Sequence, residues 1–307
     1  MEFETEIIKP NLAFRKQTEI KEMDKVVTEK KVYTSRDVYN KNGILLVAKN
    51  ELLTKEAQAR LKSIGALNFR YPKSDSPEKT DGVGAEETIR KSCDHMQEKM
   101  GQNCTALLSK ASDILTAVLF QSKEMPWWAA VLALENYIDW LYTHCVDVAL
   151  LSTMMAIELQ YSDSRLTQLA LGGFLHDVGK LLIPKSMIQK PSKLSRDEYT
   201  IMKQHCVLGA EMLQGIEVPS VCLNIILQHH ERLDGSGYPN GLKENQISEE
   251  AQIVMIADVL DAMTSYRPYK KEKSMSEAFL ELQKEEGLFN PDLLKQFEKL
   301  LGHGKTG

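Results

Sequence analysis

The sequence predicts a mainly α-helical protein in which a large helical domain is preceded by a small α/β unit. Three observations predict it. Beyond about Glu86 nearly every segment places its apolar residues at helical period, cut into lengths by Pro and Gly. From Val32 to Tyr71 the pattern is instead short and strand-like. Between the two, YPKSDSPEKTDGVGAEE concentrates Pro, Ser, Gly and charge, the composition of a linker. The boundaries read as residues 1–75 for the α/β unit, 76–86 for the linker and 87–307 for the helical domain.

In the first unit, KVYTSRDVYNKNG turns at Asn42-Gly43 into ILLVAKN, which predicts a hairpin with a type I′ turn. LTKEAQARLKSIG follows as a helix between a cap at Thr54 and a stop at Gly65. Such a unit suits signal reception or dimerisation, and nothing in it names a ligand. The helical domain opens with one long amphipathic helix from Glu87 to about Lys123. The most apolar segment starts at Met125 and meets Glu135 and Asp139 too soon to span a bilayer. A later helix begins at Ser195, where Glu198 three residues on completes a capping box.

Composition excludes little else. Of 307 residues, 43% are apolar and 26% charged, as in ordinary globular proteins. A net charge of −5 gives no global reason to expect nucleic acid as a partner. The start, MEFETEIIKP, has acids where a secretory signal needs a basic start and an apolar run. Five dispersed cysteines form no CxxC pair and leave an odd one over, so a reducing cytoplasm is the expected location.

Chemistry concentrates in the histidines. His144 continues into Val148, Leu151 and Met155, so its ring points to the core. In LTQLALGGFLHDVGK, Asp177 shares a face with Gly173 and Lys180, while His176 sits about 100° away. Gly172 and Gly173 leave room for another helix. The stripe after Ser195 runs Met202, His205, Leu208, Met212; VPSVCLNIILQHH ends in His229 and His230; ADVLDAMT sets Asp258 and Asp261 on one side. Each residue alone reads equally well as a satisfied polar core residue. Together, buried and unpartnered, they would each cost about 1–3 kcal/mol, and a shared metal cluster accounts for the set. Imidazole and carboxylate donors suit Fe, Mn, Zn, Co or Ni, and Asp177 is able to bridge two ions. Cys145, Cys206 and Cys222 read as core residues rather than ligands. No Ser or Cys has a base beside it, so no covalent nucleophile is expected.

HDVGK at 176–180, KPSKLSRDEYTIMKQH at 190–205, QHHERLDGSGYPNGL at 228–242 and ADVLDAMTSYRPYK at 257–270, in this order, resemble the HD-GYP family, the bacterial cyclic-dinucleotide phosphodiesterases of the HD superfamily. The resemblance covers about residues 139–307. It implies an all-helical HD-type metal-dependent hydrolase domain, with His144, His176, Asp177, His205, His229, His230 and Asp258 as metal ligands. It implies further that Lys180, Arg267 and Lys270 contact substrate and that Tyr238 lies at the mouth of the site. Asp177 and Lys180 carry the catalytic expectation, and Asp261 is expected as an acceptor behind a ligand histidine or Lys180.

One position departs from the family pattern. Trimetal members carry a glutamate four residues before the first histidine, where this chain has Trp140, whose indole cannot ligate a metal that way. Two divalent ions, Fe or Mn before Ni, Co or Zn, are therefore expected. The implied reaction is hydrolysis of cyclic di-GMP to pGpG and onward to GMP. Preference for cyclic GMP-AMP and a two-metal sensor or scaffold that scarcely turns over remain alternatives. A cyclic dinucleotide is the implied partner, with no nucleic acid and no membrane; a homodimer and a protein partner at the GYP loop stay open.

Overall fold

The computed structural model describes residues 38–39, 45–47, 83–101, 104–121, 125, 127–265 and 272–301. By internal contacts the chain divides into Met1–Leu67 and Asn68–Gly307. In the first unit, β1 (Val38–Tyr39) and β2 (Leu45–Val47) pair antiparallel, with Val38 opposite Val47 and Tyr39 opposite Leu45. A two-residue turn at Asn42-Gly43 accounts for the first pair but would set Tyr39 opposite Leu46, and the register shifts between Val38 and Tyr39. The turn itself, the helix expected between Thr54 and Gly65 and the rest of the expected α/β unit lie outside the described residues.

Among the described residues the regular elements of the second unit are helices, and its leading segment corrects the sequence reading. Helix α1 (Val83–Met100) begins inside the stretch assigned to the linker, with Glu86 in its first turn, where an acid is favoured by the helix dipole. The single long helix expected from Glu87 to about Lys123 is two, α1 and α2 (Thr105–Gln121). Gly101 lies between them with φ 82°, a left-handed conformation that costs other residues about 1–2 kcal/mol. Its amide donates to the Gln97 carbonyl at 2.8 Å, closing α1. The buried series Ile89, Met96, Cys104, Leu108, Ala111, Leu115 keeps helical period through the break, so the pattern alone concealed it.

After α3 (Trp128–Glu135) comes α4 (Asp139–Glu158), the central helix. The apolar segment from Met125 is interrupted as expected, α3 ending at Glu135, and Asp139 opens α4 as the acid in its first turn. A helix apolar on every side belongs in a core, and α4 is buried without a gap from His144 to Ala156. Among the described residues it is the one helix long and apolar enough to cross a bilayer, yet 83% of its apolar window is buried in protein. Leu150, Leu151, Met154 and Met155 are each fully enclosed, a burial worth about 1.5–3 kcal/mol per side chain.

Helix α5 (Asp163–Leu175) packs against α4 and against α9 (Ser220–Gln228). The adjacent glycines divide this work. A Cβ on Gly173 would lie 3.2 Å from Ala149 Cα of α4, and one on Gly172 would lie 3.3 Å from Cys222 Cα of α9. The chain leaves α5 at His176 and winds as a 3-10 turn from Val178 to Leu182, so HDVGK ends a helix rather than continuing one. Helix α6 (Lys185–Ile188) follows, then α7 (Arg196–Met202), opened by the expected capping box: Glu198 N donates to Ser195 Oγ and Ser195 N to Glu198 Oε2. The stripe read as continuous from Met202 to Met212 is cut, because α8 (His205–Leu213) starts anew at His205. Helix α10 (Glu249–Thr264) packs on α4 and α9, and α11 (Met275–Gln283) and α12 (Pro291–Leu300) close the unit.

Candidate metal centre

Most of the expected ligands stand at helix ends, where backbone carbonyls lack partners within the helix. His176 follows α5 and sends Nδ1 to the Gly173 carbonyl at 2.6 Å. His205 opens α8 and sends Nδ1 to Met202 O at 2.7 Å, and His229 follows α9 with Nδ1 3.0 Å from Ile226 O. A carbonyl only accepts, so each of these nitrogens donates and each Nε2 is left as a lone pair facing inward. His144, in mid-helix, has its Nδ1 fixed instead by Asp261 Oδ2 at 2.6 Å. One recurrent local contact thus supplies both ring aim and tautomer.

The seven expected ligand residues converge as two groups. Asp177, His205, His229 and His230 have ligand atoms within 4.8 Å of one another, as do His144, His176 and Asp258. Asp177 joins them. Its Oδ1 lies 3.3 Å from His205 Nε2 and 3.7 Å from His229 Nε2, while its Oδ2 lies 3.6 Å from His144 Nε2 and 3.5 Å from His176 Nε2. Asp258 approaches both groups, with Oδ1 3.1 Å from His144 Nε2 and Oδ2 3.9 Å from His230 Nδ1.

The donor set fits divalent cations. His144 Nε2, His176 Nε2 and Asp177 Oδ1 are buried without a well-formed hydrogen bond, a costly arrangement unless something else satisfies them. Burial pushes His205 down to about 3 and also lowers His229 and His230, which leaves neutral rings with free lone pairs. Burial opposes ionisation of Asp177, but the Lys180 ammonium and the histidines around it hold the carboxylate well below its usual range. Burial likewise opposes ionisation of Asp258, and His144 beside it prevails. His144 differs: burial disfavours its proton, yet the carboxylates of Asp258 and Asp261 outweigh that and raise it to about 9. Cys206 Sγ comes within 3.5 Å of His205 Nε2, but burial drives its thiol well up, against thiolate ligation.

Lys180 hydrogen-bonds Asp177 Oδ2, and its side chain is 14% exposed. Of the two acceptor roles expected for Asp261, the structure shows the one behind His144. Tyr238 stacks on His230, ring centroids 4.8 Å apart, and its amide donates to the His230 carbonyl. Glu231, fully buried, accepts from the amides of Asn240 at 2.7 Å and Leu242 at 3.0 Å, which folds the GYP loop back onto its helix. Gly237 is required there by space, since a Cβ would lie 2.3 Å from Glu231 Cα. Trp140 packs half-buried against the core one turn before His144. Arg267 and Lys270 lie outside the described residues.

Sequence reasoning missed several residues around the centre. Asp147, one turn beyond His144, is buried, and Lys99 and Ser265 lie behind Asp261. Position i+3 from His144 was a legible signal for Asp147; Lys99 is far away in sequence and had none. Tyr199, edge-on to Tyr238 at 6.3 Å, and Gly179, against which α8 packs, were also missed.

A unit helical in its described regular elements, in which helix ends and two helix interiors bring a His-Asp pair and five further ligand-type side chains together, has the architecture of the HD class. The chain belongs to the HD domain family, whose pattern matches residues 130–293. It is 36% identical over 174 residues to a cyclic di-GMP phosphodiesterase of Pseudomonas aeruginosa, covering 56% of this chain and 42% of that protein. It is 42% identical over 171 residues to a cyclic di-GMP phosphodiesterase of Thermotoga maritima, covering 54% and 46%. It is 37% identical over 150 residues to the 3'3'-cGAMP-specific phosphodiesterase 1 of Vibrio cholerae, covering 48% and 35%. The match spans less than half the length of each of these relatives. In fold the chain is similar to Bd1817, an HDG"Y"P protein from Bdellovibrio bacteriovorus, with a TM-score of 0.50 at 20% identity over 89% of this chain and 96% of that one.

Proposed function

We propose that this protein is a metal-dependent phosphodiesterase that hydrolyses cyclic di-GMP to pGpG and onward to GMP. The observation that carries the reading is Asp177, whose two oxygens face two separate groups of ligand-type side chains. His205, His229 and His230 would hold one divalent ion, His144, His176 and Asp258 the other, and Asp177 both; Fe and Mn suit the set best. Metal bound by these residues would supply Lewis acidity and an activated water for attack at phosphorus. Lys180 keeps Asp177 ionised and brings positive charge to the open side of the centre, where a phosphate's non-bridging oxygens gain charge during attack. Hydrolysis adds one water across a P–O bond: the water oxygen joins phosphorus, and the ribose oxygen leaves and takes up a proton. Tyr238 walls the centre beside His230, and Arg267 and Lys270, which follow α10 in sequence, are assigned to the second phosphate or a guanine edge. A cytoplasmic location, a homodimer and a protein partner at the GYP loop belong to the same proposal.

The relatedness to a 3'3'-cGAMP-specific phosphodiesterase favours cyclic GMP-AMP as the second reading. The test is elemental analysis of anaerobically purified protein together with product analysis on both cyclic dinucleotides. Two ions per chain and linear dinucleotide from cyclic di-GMP are expected. Faster turnover of cyclic GMP-AMP selects the second reading, binding without product selects a sensor, and three ions per chain refutes the use made of Trp140.

A further inference from the structure

Behind His144 a chain of polar contacts runs out of the centre and ends on α1. His144 Nδ1 donates to Asp261 Oδ2 at 2.6 Å. The other oxygen, Oδ1, accepts from the Ser265 hydroxyl at 2.5 Å, and Ser265 Oγ accepts from Lys99 Nζ at 3.0 Å. The sense of every bond is fixed, because an ammonium only donates and a carboxylate only accepts. Lys99 therefore obliges the Ser265 hydrogen to point at Asp261, and Asp261 obliges the His144 ring to present Nε2 to Asp177 and Asp258.

The path joins three helices: α1 through Lys99, the end of α10 through Asp261 and Ser265, and α4 through His144. Asp261 is 4% exposed, so little water competes for its oxygens. The charge of Lys99 also acts on Asp261 and on Asp147, two of the buried carboxyl groups near His144. Lys99 lies outside residues 130–293, the part matched to the HD domain family.

We propose that Lys99 is a positioning residue for the metal centre, acting through Ser265 and Asp261 on the aim of His144, so that the placement of α1 tunes one half of the centre. The inference rests on the metal-centre reading above. It is selective: no residue of the path belongs to the group formed by His205, His229 and His230, so loosening the path weakens one ion and spares the other.

The experiment is Mn(II) titration of metal-free protein, followed by electron paramagnetic resonance, for the wild type, Lys99→Met, Lys99→Arg and Ser265→Ala. The wild type is expected to take two ions with an exchange-coupled signal. Lys99→Met should keep one ion at wild-type affinity and bind the other about tenfold or more weakly, the scale known for partners behind metal ligands. The signal should then become that of isolated Mn(II). Lys99→Arg, which keeps the donor, should restore the pair, and Ser265→Ala should reproduce the loss and carries the test should Lys99→Met not fold. Wild-type titration of Lys99→Met, or equal weakening of both ions in step with thermal stability, overturns the positioning role alone. A wild type that takes fewer than two ions overturns the metal-centre reading and this inference with it.

Discussion

The Nε2 atoms of His205 and His229 stand 3.3 Å apart. Both rings spend their Nδ1 hydrogens on backbone carbonyls, and burial lowers the basicity of both. Two lone pairs therefore face each other, and a cation between them removes the repulsion. Stripping metal with a chelator should destabilise the protein and readdition should restore it. For a ligand at a thousandfold its Kd the linkage is about 4 kcal/mol, which for a domain of this size is roughly 10 °C in Tm. Thermal melts with and without metal measure it, and coincident melts would refute the centre.

Asp177→Asn should weaken both ions, because each half of the centre uses a different oxygen of the same carboxylate. Loss of a partner behind a ligand costs 10–100-fold, and a shared ligand should exceed about 100-fold in metal affinity. Calorimetric titration checks this; loss of one ion alone would show that Asp177 does not bridge.

Asp147 gives a pH signature. Burial and the nearby Asp261 charge push it up to about 8 from an ordinary 3.8. Its folded value lies above its unfolded one, so its contribution is most favourable below about pH 4 and is lost as pH rises toward 8. In metal-free protein the Tm of Asp147→Asn should gain on that of the wild type between pH 5 and pH 8. A difference that stays flat across that window would mean the carboxyl ionises normally.

Gly179→Ala should damage the centre without touching a ligand. A Cβ there would lie 1.8 Å from the His205 carbonyl oxygen and 2.6 Å from Gly209 N, both backbone atoms that cannot swing aside. Overpacking of this kind costs about 1–3 kcal/mol or more, and relief requires moving His205. The variant should lose stability and metal affinity together; wild-type metal binding would show that α8 shifts as a rigid piece without disturbing its histidine.

The candidate cluster was legible from the family motifs and because several of its members pair a ligand-type side chain with a place on an apolar stripe. His144, His205 and Asp258 show this plainly. What escaped was the geometry at helix ends. HDVGK keeps helical spacing on paper, but His176 bonds back to Gly173 and Asp177 leaves the helix, which is how both come to face the same cluster. Gly101 escaped for the converse reason, since the apolar period runs straight through it. Lys99 and Ser265 could not be found by spacing, because the contact joins residues 166 apart in sequence.

Exposure within the cluster is uneven. The side chains of His176, His205 and His229 are wholly covered, while His230 is 19% and Lys180 14% exposed. Among the described residues, solvent thus meets the cluster where His230 and Lys180 stand, which on the proposed function is also where a phosphate would arrive. On the proposed function, ions and nucleotide would share this exposed side among the described residues, and a nucleotide bound there would stand between the ions and solvent. Metal exchange would then fall to the idle protein, and a chain saturated with nucleotide would hold its ions longest when the supply outside runs low.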